Sequence, residues 1–520
     1  MSLSVFLTTI TNWLLINYHA IAVAGWTAWL TLFLILFFTI GVVSSIRVYL
    51  HARHTIRHHI DVAKPTLKEV QKLADNKGEE LPFIIIMVPA KDESRVIANT
   101  IIRLAQIDYP TERYAVAIIT DEREKSDNGS LTTIEIASVW ADDINRDLAA
   151  PWLYVINVPE WFSGKFGCTE KTFSRSTKGR ALNYALHYLH DDCRLSQADM
   201  LGVLDADGRI HTEVLREVAF KRINNRAQVL QGPVFQISNY WDVTLSAKAA
   251  GIELSIYHLS SLARRLLSKK MTAEFLAGTN YFIDLHTMID LGGWNEQALV
   301  EDAELGLRLF LEKNIKPEWL SCYEIEQTPP DYHVYLKQRQ RWSLGHFQLL
   351  PMIRNSGLPI SGKIALYWRV MSAIFKSPVD IGLPVLGWIA LLSGWHQGLT
   401  EWISWVMLSL LIFSLFVWDF FGRGYHMIKK YAPGKQRNWL QNRFHQLHFI
   451  IAMPWLIFLQ AQPRFVAIFQ YLTGFDNDSW VKTKRTVEEP LEVIPKLGAR
   501  KVEIDKLIVA EHENVHEERL

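Results

Sequence analysis

The stretch Met200-Leu-Gly-Val-Leu-Asp-Ala-Asp-Gly208 decides how the chain is read. An apolar run of this length suits a strand buried on both faces, and the acidic pair and glycine that follow mark its end. The pattern recurs upstream: Phe83–Val88 runs into Pro89-Ala-Lys-Asp-Glu93, and Ala115–Thr120 runs into Asp121-Glu122. Helical stretches of mixed polarity separate these runs, so residues 81–345 are predicted to form an α/β domain with a mostly parallel sheet. Ligands in such sheets sit beyond the carboxyl ends of the strands, which directs attention to the acidic loops.

Composition adds a second element. The 520 residues are 49% hydrophobic with a mean hydropathy of +0.04, a mixture expected of a soluble domain joined to membrane helices. With 55 basic against 54 acidic residues, the chain lacks the basic excess of a nucleic-acid binder. Cys168, Cys193 and Cys322 form neither a CxxC nor an even framework, which suits reduced thiols facing a cytoplasm and argues against a zinc site.

The run from about Ala20 to Ile46 is long and apolar enough to span a bilayer, and residues 3–18 are read as interfacial. Arg47, His51, Arg53, His54, Arg57, His58 and His59 follow it. A positive-inside juxtamembrane segment explains all seven better than a metal-binding histidine cluster does. Further spans are predicted at about Pro378–Trp395, Trp402–Trp418 and Phe444–Gln462, with a basic connecting loop at 423–443. Ser343–Leu358 and Ile364–Phe375 read as amphipathic, Arg464–Leu472 as interfacial or re-entrant, and 486–520 as a partly disordered charged tail. The expected divisions are 1–50 (interfacial and transmembrane), 51–80 (juxtamembrane linker), 81–345 (catalytic domain), 346–475 (interfacial and transmembrane helices) and 476–520 (tail).

Each candidate motif has a bland reading beside its chemical one. Asp205-x-Asp207 suits a hard divalent cation such as magnesium or manganese, although paired surface carboxylates are common. Glu301-Asp302 opens a predicted helix, where an acid is often only a cap, but in a cleft it would serve as a general base. Gln338-Arg-Gln-Arg-Trp342 reads either as a basic, tryptophan-anchored approach to a membrane or as a guanidinium and an indole face for diphosphate and sugar. Lys178-Gly-Arg-Ala-Leu-Asn183 faces either solvent or a phosphate.

Taken in order, Pro89–Glu93, Asp121, Lys178–Asn183, Asp205-x-Asp207, Gly278-Thr-Asn280, Glu301-Asp302 and Gln338-x-x-Arg341-Trp342 resemble the family 2 glycosyltransferases. The likeness is greatest to their membrane-bound branch, which includes cellulose, chitin and hyaluronan synthases and bacterial exopolysaccharide synthases. It covers roughly residues 80–345 and, through the later spans and Trp480-Val-Lys-Thr483, most of the chain. It implies a Rossmann-like GT-A domain on the cytoplasmic side, inserted between transmembrane α-helices. Glu93 and Asp121 would hold the nucleoside, Lys178 the diphosphate, and Asp205 and Asp207 the donor and its Mg2+ or Mn2+. Gly278, Thr279 and Asn280 would line the acceptor side, Asp302 would be the catalytic base, and Gln338, Arg341 and Trp342 would secure diphosphate and acceptor sugar. Asp121-Glu122 departs from the paired aspartates frequent in the family, and the loop Trp161–Thr177 has no assigned role.

The function this implies is inverting transfer of a hexose from a nucleotide sugar, expected to be a UDP-sugar, to a growing β-linked polysaccharide at the inner membrane. Single transfer to a lipid-linked acceptor is the second reading, and a silent receptor with the same fold is a third. Expected partners are the donor, a glycan or lipid acceptor, the bilayer, and secretion or synthase-complex subunits, with no nucleic acid. Nothing after Gln462 suggests a second regulatory domain.

Overall fold

The computed structural model describes residues 46–126, 130–167, 175–192, 195–372, 430–433 and 439–474, with Val43, Ile374, Glu488 and Leu491. Central strands β1 (Ile84–Pro89), β2 (Tyr114–Asp121), β3 (Leu153–Val158) and β4 (Met200–Val203) pair in parallel in the order β3-β2-β1-β4. Short strands follow: β5 (Arg209–Ile210), β6 (Val229–Gln231), β7 (Val234–Gln236), β8 (Tyr281–Asp284), β9 (Glu318–Trp319) and β10 (Glu324–Glu326). Strand β8 joins β4 and β6 antiparallel, and β9 pairs parallel with β6, which completes a seven-stranded, mostly parallel sheet among the described residues. Strands β5, β10 and β7 form a second, three-stranded sheet beside it.

Alternate residues of one strand serve two cores, which explains the unbroken apolar runs. Ile84, Ile86 and Val88 pack with Val116 and Ile118 under helices α1 (Leu67–Lys77), α2 (Ser94–Ala105) and α3 (Thr133–Asn145). Ile85 and Met87 pack on the other face beneath α4 (Lys178–Asp191). Local signals fix the helix starts: Thr66 and Thr132 close capping boxes with Glu69 and Glu135, and the Thr177 hydroxyl accepts from the Arg180 amide. Parallel pairing puts the ends of β1, β2 and β4 on one edge, so Glu93, Asp121 and Asp205 share a rim.

Helices α5 (Val214–Asn225), α6 (Leu245–Tyr257), α7 (Glu301–Lys313), α8 (Tyr332–Asn355) and α9 (Trp439–Thr473) complete the described elements used below. Gly345 lies within α8, whose Leu349 and Ile353 pack with Val300, Ala303 and Leu307 at the start of α7. The stretch from 343 thus belongs to the packed body of the domain.

The span expected at Phe444–Gln462 is corrected. Those residues lie within α9, which is tied to the domain through polar groups: Gln340 donates to Gln470 at 2.6 Å, Arg464 pairs with Glu253 at 3.7 Å, and the Tyr332 hydroxyl meets Gln462. No helix among the described residues is long and apolar enough to cross a membrane. The other predicted spans, residues 3–18, Trp480–Thr483, Cys168 and Cys193 lie outside the described residues, apart from Val43 and Ile46. Of the tail, Glu488 and Leu491 are described, and both are seated on the domain.

Candidate active site

Asp205 and Asp207 follow the end of β4 and differ in burial. Asp207 is fully buried, and its Oδ2 accepts from the Gln327 amide at 2.8 Å. Asp205 is half-buried and faces the cavity. Glu326, at the end of β10, brings a third carboxylate, and ligand oxygens of the three lie within 4.8 Å of one another. Like charges so close in a low-dielectric setting are costly, and a divalent cation relieves them. Three hard oxygen donors fit magnesium or manganese.

Beneath this cluster, the Asp205 amide donates to Thr279 Oγ1 at 2.9 Å, and that hydroxyl donates to Glu324 at 2.6 Å. A Cβ at Gly208 would stand 1.9 Å from a Glu324 oxygen, so only glycine fits there. Burial, reinforced by the charges of Asp205 and Asp207, holds the Glu324 carboxyl well above its usual range.

Lys178, at the first turn of α4, bonds Asp205 and donates to the Gly278 carbonyl at 2.8 Å. Burial opposes its charge, but Asp205, Glu301 and Asp302 prevail and hold its pKa above the ordinary value. Two residues on, the fully buried Arg180 donates to Asp121 at 3.0 Å, and Ser176 donates to the same carboxylate at 2.7 Å. Arg180 also holds the Phe162 carbonyl at 3.0 Å, which fastens the start of the 161–177 loop to β2. Glu93 is buried at the cavity wall, and its amide donates to Thr133 at 2.8 Å.

Helix α7 begins at Glu301 with Val300 at the cap, so Asp302 lies inside the first turn. Its Oδ1 accepts from the Ala303 amide at 2.8 Å. Burial comes first in raising both carboxyls: Glu301, next to the Asp302 charge, is lifted to about 7, while Lys178 and Arg341 pull the other way on each. Gln338, Arg341 and Trp342, at helical spacing i, i+3 and i+4, share one face of α8 and line the cavity. Arg341 donates to the Leu299 carbonyl at 3.0 Å, which ties α8 to the loop before α7. The Arg339 guanidinium lies 4.1 Å from the Trp342 ring centroid. Of the glycine-threonine-asparagine run, Gly278 lines the cavity, whereas Thr279 and Asn280 are buried behind it, Asn280 donating to the Pro233 and Cys322 carbonyls at 3.1 Å.

These groups surround a cavity of about 1270 Å3. Its lining includes Glu93, Asp121, Lys178 and Asp205 near the strand ends, and also Leu254, Leu262, Phe275, Leu336 and Trp342.

Residues 201–460 match the family described as Glycosyl transferase family group 2, which is half of the chain. The chain belongs to this family. The matched region includes Asp205, Asp207, Asp302, Arg341 and Trp342, of which all but the buried Asp207 line the cavity.

Among curated relatives, a protein named beta-monoglucosyldiacylglycerol synthase from Trichormus variabilis is 27% identical over 272 residues, covering 52% of this chain and 50% of its own. A probable glucomannan 4-beta-mannosyltransferase from Arabidopsis thaliana is 22% identical over 274 residues, covering 51% of this chain and 43% of its own. The chain thus spans about half the length of the curated relatives it matches. A solved mannosyltransferase from Pyrobaculum calidifontis, in complex with GDP-Man and Mn2+, aligns with 86% of this chain and all of its own at 15% identity and a TM-score of 0.48.

Two residues of this family 2 chain escaped the sequence reading. Arg180 stands inside a motif read through its lysine, and its burial depends on a loop that no local pattern connects to it. Glu326 carried a weak signal: acid-apolar-acid in Glu324-Ile-Glu326 marks a short strand with both carboxylates on one side.

Proposed function

We propose that the chain transfers sugar from a nucleotide-sugar donor, with inversion, to a hydroxyl of a lipid acceptor at the cytoplasmic face of the inner membrane. The carrying observation is one cavity lined both by carboxylates suited to a metal–diphosphate group and by apolar side chains, Leu254, Leu262, Phe275 and Leu336, among polar ones. The relative named for monoglucosyldiacylglycerol agrees with a lipid acceptor. A second reading, extension of a glycan, is favoured by the Gln338-x-x-Arg341-Trp342 spacing and by the mannosyltransferase relative.

In this reading Asp302 takes the proton of the acceptor hydroxyl while the oxygen bonds to the anomeric carbon. The bond from that carbon to the diphosphate breaks, its electron pair leaves with the nucleotide, and an α-linked donor yields a β-linked product. A divalent cation held by Asp205, Asp207 and Glu326 would neutralise charge building on the leaving group. Lys178 adds a positive charge on the same side, Glu93 and Asp121 flank the nucleoside, and Trp342 offers a face against which a sugar stacks. Helix α9 directs polar groups inward and exposes Phe444, Leu447, Trp455, Phe458, Phe469 and Leu472 outward, which suits a helix lying along the bilayer surface.

The test supplies the full-length protein in detergent with radiolabelled nucleotide sugars and either diacylglycerol micelles or soluble oligosaccharides. Label is expected in the chloroform-extractable product. Label confined to soluble or insoluble glycan would overturn the lipid reading, and donor consumption in neither arm would leave the silent-receptor reading.

A further inference from the structure

Glu488 comes from the charged tail, yet its side chain is 4% exposed and both its oxygens are bonded. Arg103 of α2 donates to one oxygen at 2.5 Å, joined by Asn99 at 3.4 Å. Arg209 of β5 and the Gln327 side chain donate to the other at 3.2 and 3.4 Å. Three residues later the Leu491 amide donates to Asn99 at 3.0 Å, and the Leu491 side chain packs against the core.

Every one of these partners leads to the acidic cluster. Thr100, next to Asn99 on α2, donates to the Ala206 carbonyl at 2.5 Å, between the two aspartates. Gln327 follows Glu326, and its amide holds Asp207 at 2.8 Å. Arg209 lies two residues beyond Asp207 and pairs in register with Ile325 across β5 and β10. One carboxylate thus fastens together α2, β5 and the end of β10: β5 and β10 adjoin the segments that carry Asp205, Asp207 and Glu326, and α2 supports Ala206 between the two aspartates. It also separates two guanidiniums, Arg103 and Arg209, whose charges act against each other. Removing one partner from a buried charge network leaves the others uncompensated, and the elements carrying them move apart.

We propose that Glu488 is a positioning residue for the divalent-metal site, acting through Arg103, Arg209 and Gln327 to hold the three carboxylates at binding distance. The proposal rests on the reading that those carboxylates hold a metal. Partners one layer behind metal ligands typically shift affinity by about 10–100-fold when lost.

The test titrates Mn2+ into full-length wild type, Glu488→Gln, Glu488→Asp and Leu491→Ala, following free Mn2+ by its electron paramagnetic resonance signal and unfolding by calorimetry. Glu488→Gln is expected to weaken Mn2+ binding about 10-fold or more, Glu488→Asp to recover part of it, and Leu491→Ala to lower the unfolding temperature without changing Mn2+ affinity. Wild-type affinity in Glu488→Gln, whatever its stability, overturns the positioning role alone. A wild-type protein that binds no Mn2+ overturns both this role and the metal reading beneath it. If Glu488→Gln does not fold, Arg209→Gln removes one of the two ion pairs and is expected to weaken Mn2+ binding by a smaller factor, with unchanged affinity again overturning the proposal.

Discussion

Gly278 lies directly against the Asp302 carboxylate: a Cβ at residue 278 would stand 3.0 Å from Asp302 Oδ2. The glycine has φ +82°, a conformation that side chains other than glycine resist. Backbone and carboxylate are therefore fitted to each other, and Lys178 donates to the Gly278 carbonyl at 2.8 Å. Gly278→Ala is expected to cost roughly 1–2 kcal/mol of strain and to lower kcat by displacing Asp302. Parallel measurement of unfolding and turnover checks this, and unchanged kcat would show that the contact does not position the base.

Asp302→Asn keeps the shape of the side chain and its bond to the Ala303 amide but removes the proton acceptor. Turnover should fall by about 10²-fold or more, while nucleotide binding, measured by calorimetry, stays near wild type. Transfer at the wild-type rate would dismiss Asp302 as the base.

The pH dependence follows from Glu301, lifted to about 7 chiefly by burial. A raised carboxyl stabilises the fold fully below its unfolded value near 4.5, and that contribution is lost as pH rises through about 7. Glu301→Gln removes the loss, so its unfolding temperature relative to wild type should climb between pH 5 and pH 8. A difference that stays constant across this range would contradict the assigned burial of charge. Asp302 is raised in the same direction, so turnover should increase with pH as the pair ionises.

Chelation tests the carboxylate cluster. Excess EDTA should abolish transfer, Mn2+ or Mg2+ should restore it, and Glu326→Gln should raise the metal concentration needed for half-maximal rate. Full turnover in chelator would remove the metal from the reaction. An unchanged metal requirement in Glu326→Gln would return the site to the two aspartates.

Trp342→Ala should raise KM for the acceptor more than for the donor, because the indole lines the cavity and offers a face against which the acceptor sugar stacks. A rise confined to the donor KM would place Trp342 at the donor instead.

Local sequence pattern determined much of this protein. Continuous apolar runs specified strands covered on both faces, and the residues ending them specified one acidic rim, because parallel pairing puts those ends together. The order of motifs was legible through its resemblance to the family 2 glycosyltransferases, and the shared face of Gln338, Arg341 and Trp342 follows from helical spacing. Tertiary structure decided the rest. Asp207 meets the Gln327 amide across 120 positions of sequence, and Glu326 joins the aspartates only because β10 pairs with β5 and β7. Thr279 and Asn280 face the interior although Gly278 beside them faces the cavity, since a left-handed glycine turns the backbone there. The tail composition reads as solvated, yet Glu488 is buried, because two arginines from distant elements compensate its charge. Periodicity records which face of an element is apolar, but it does not record which distant charge that element will meet.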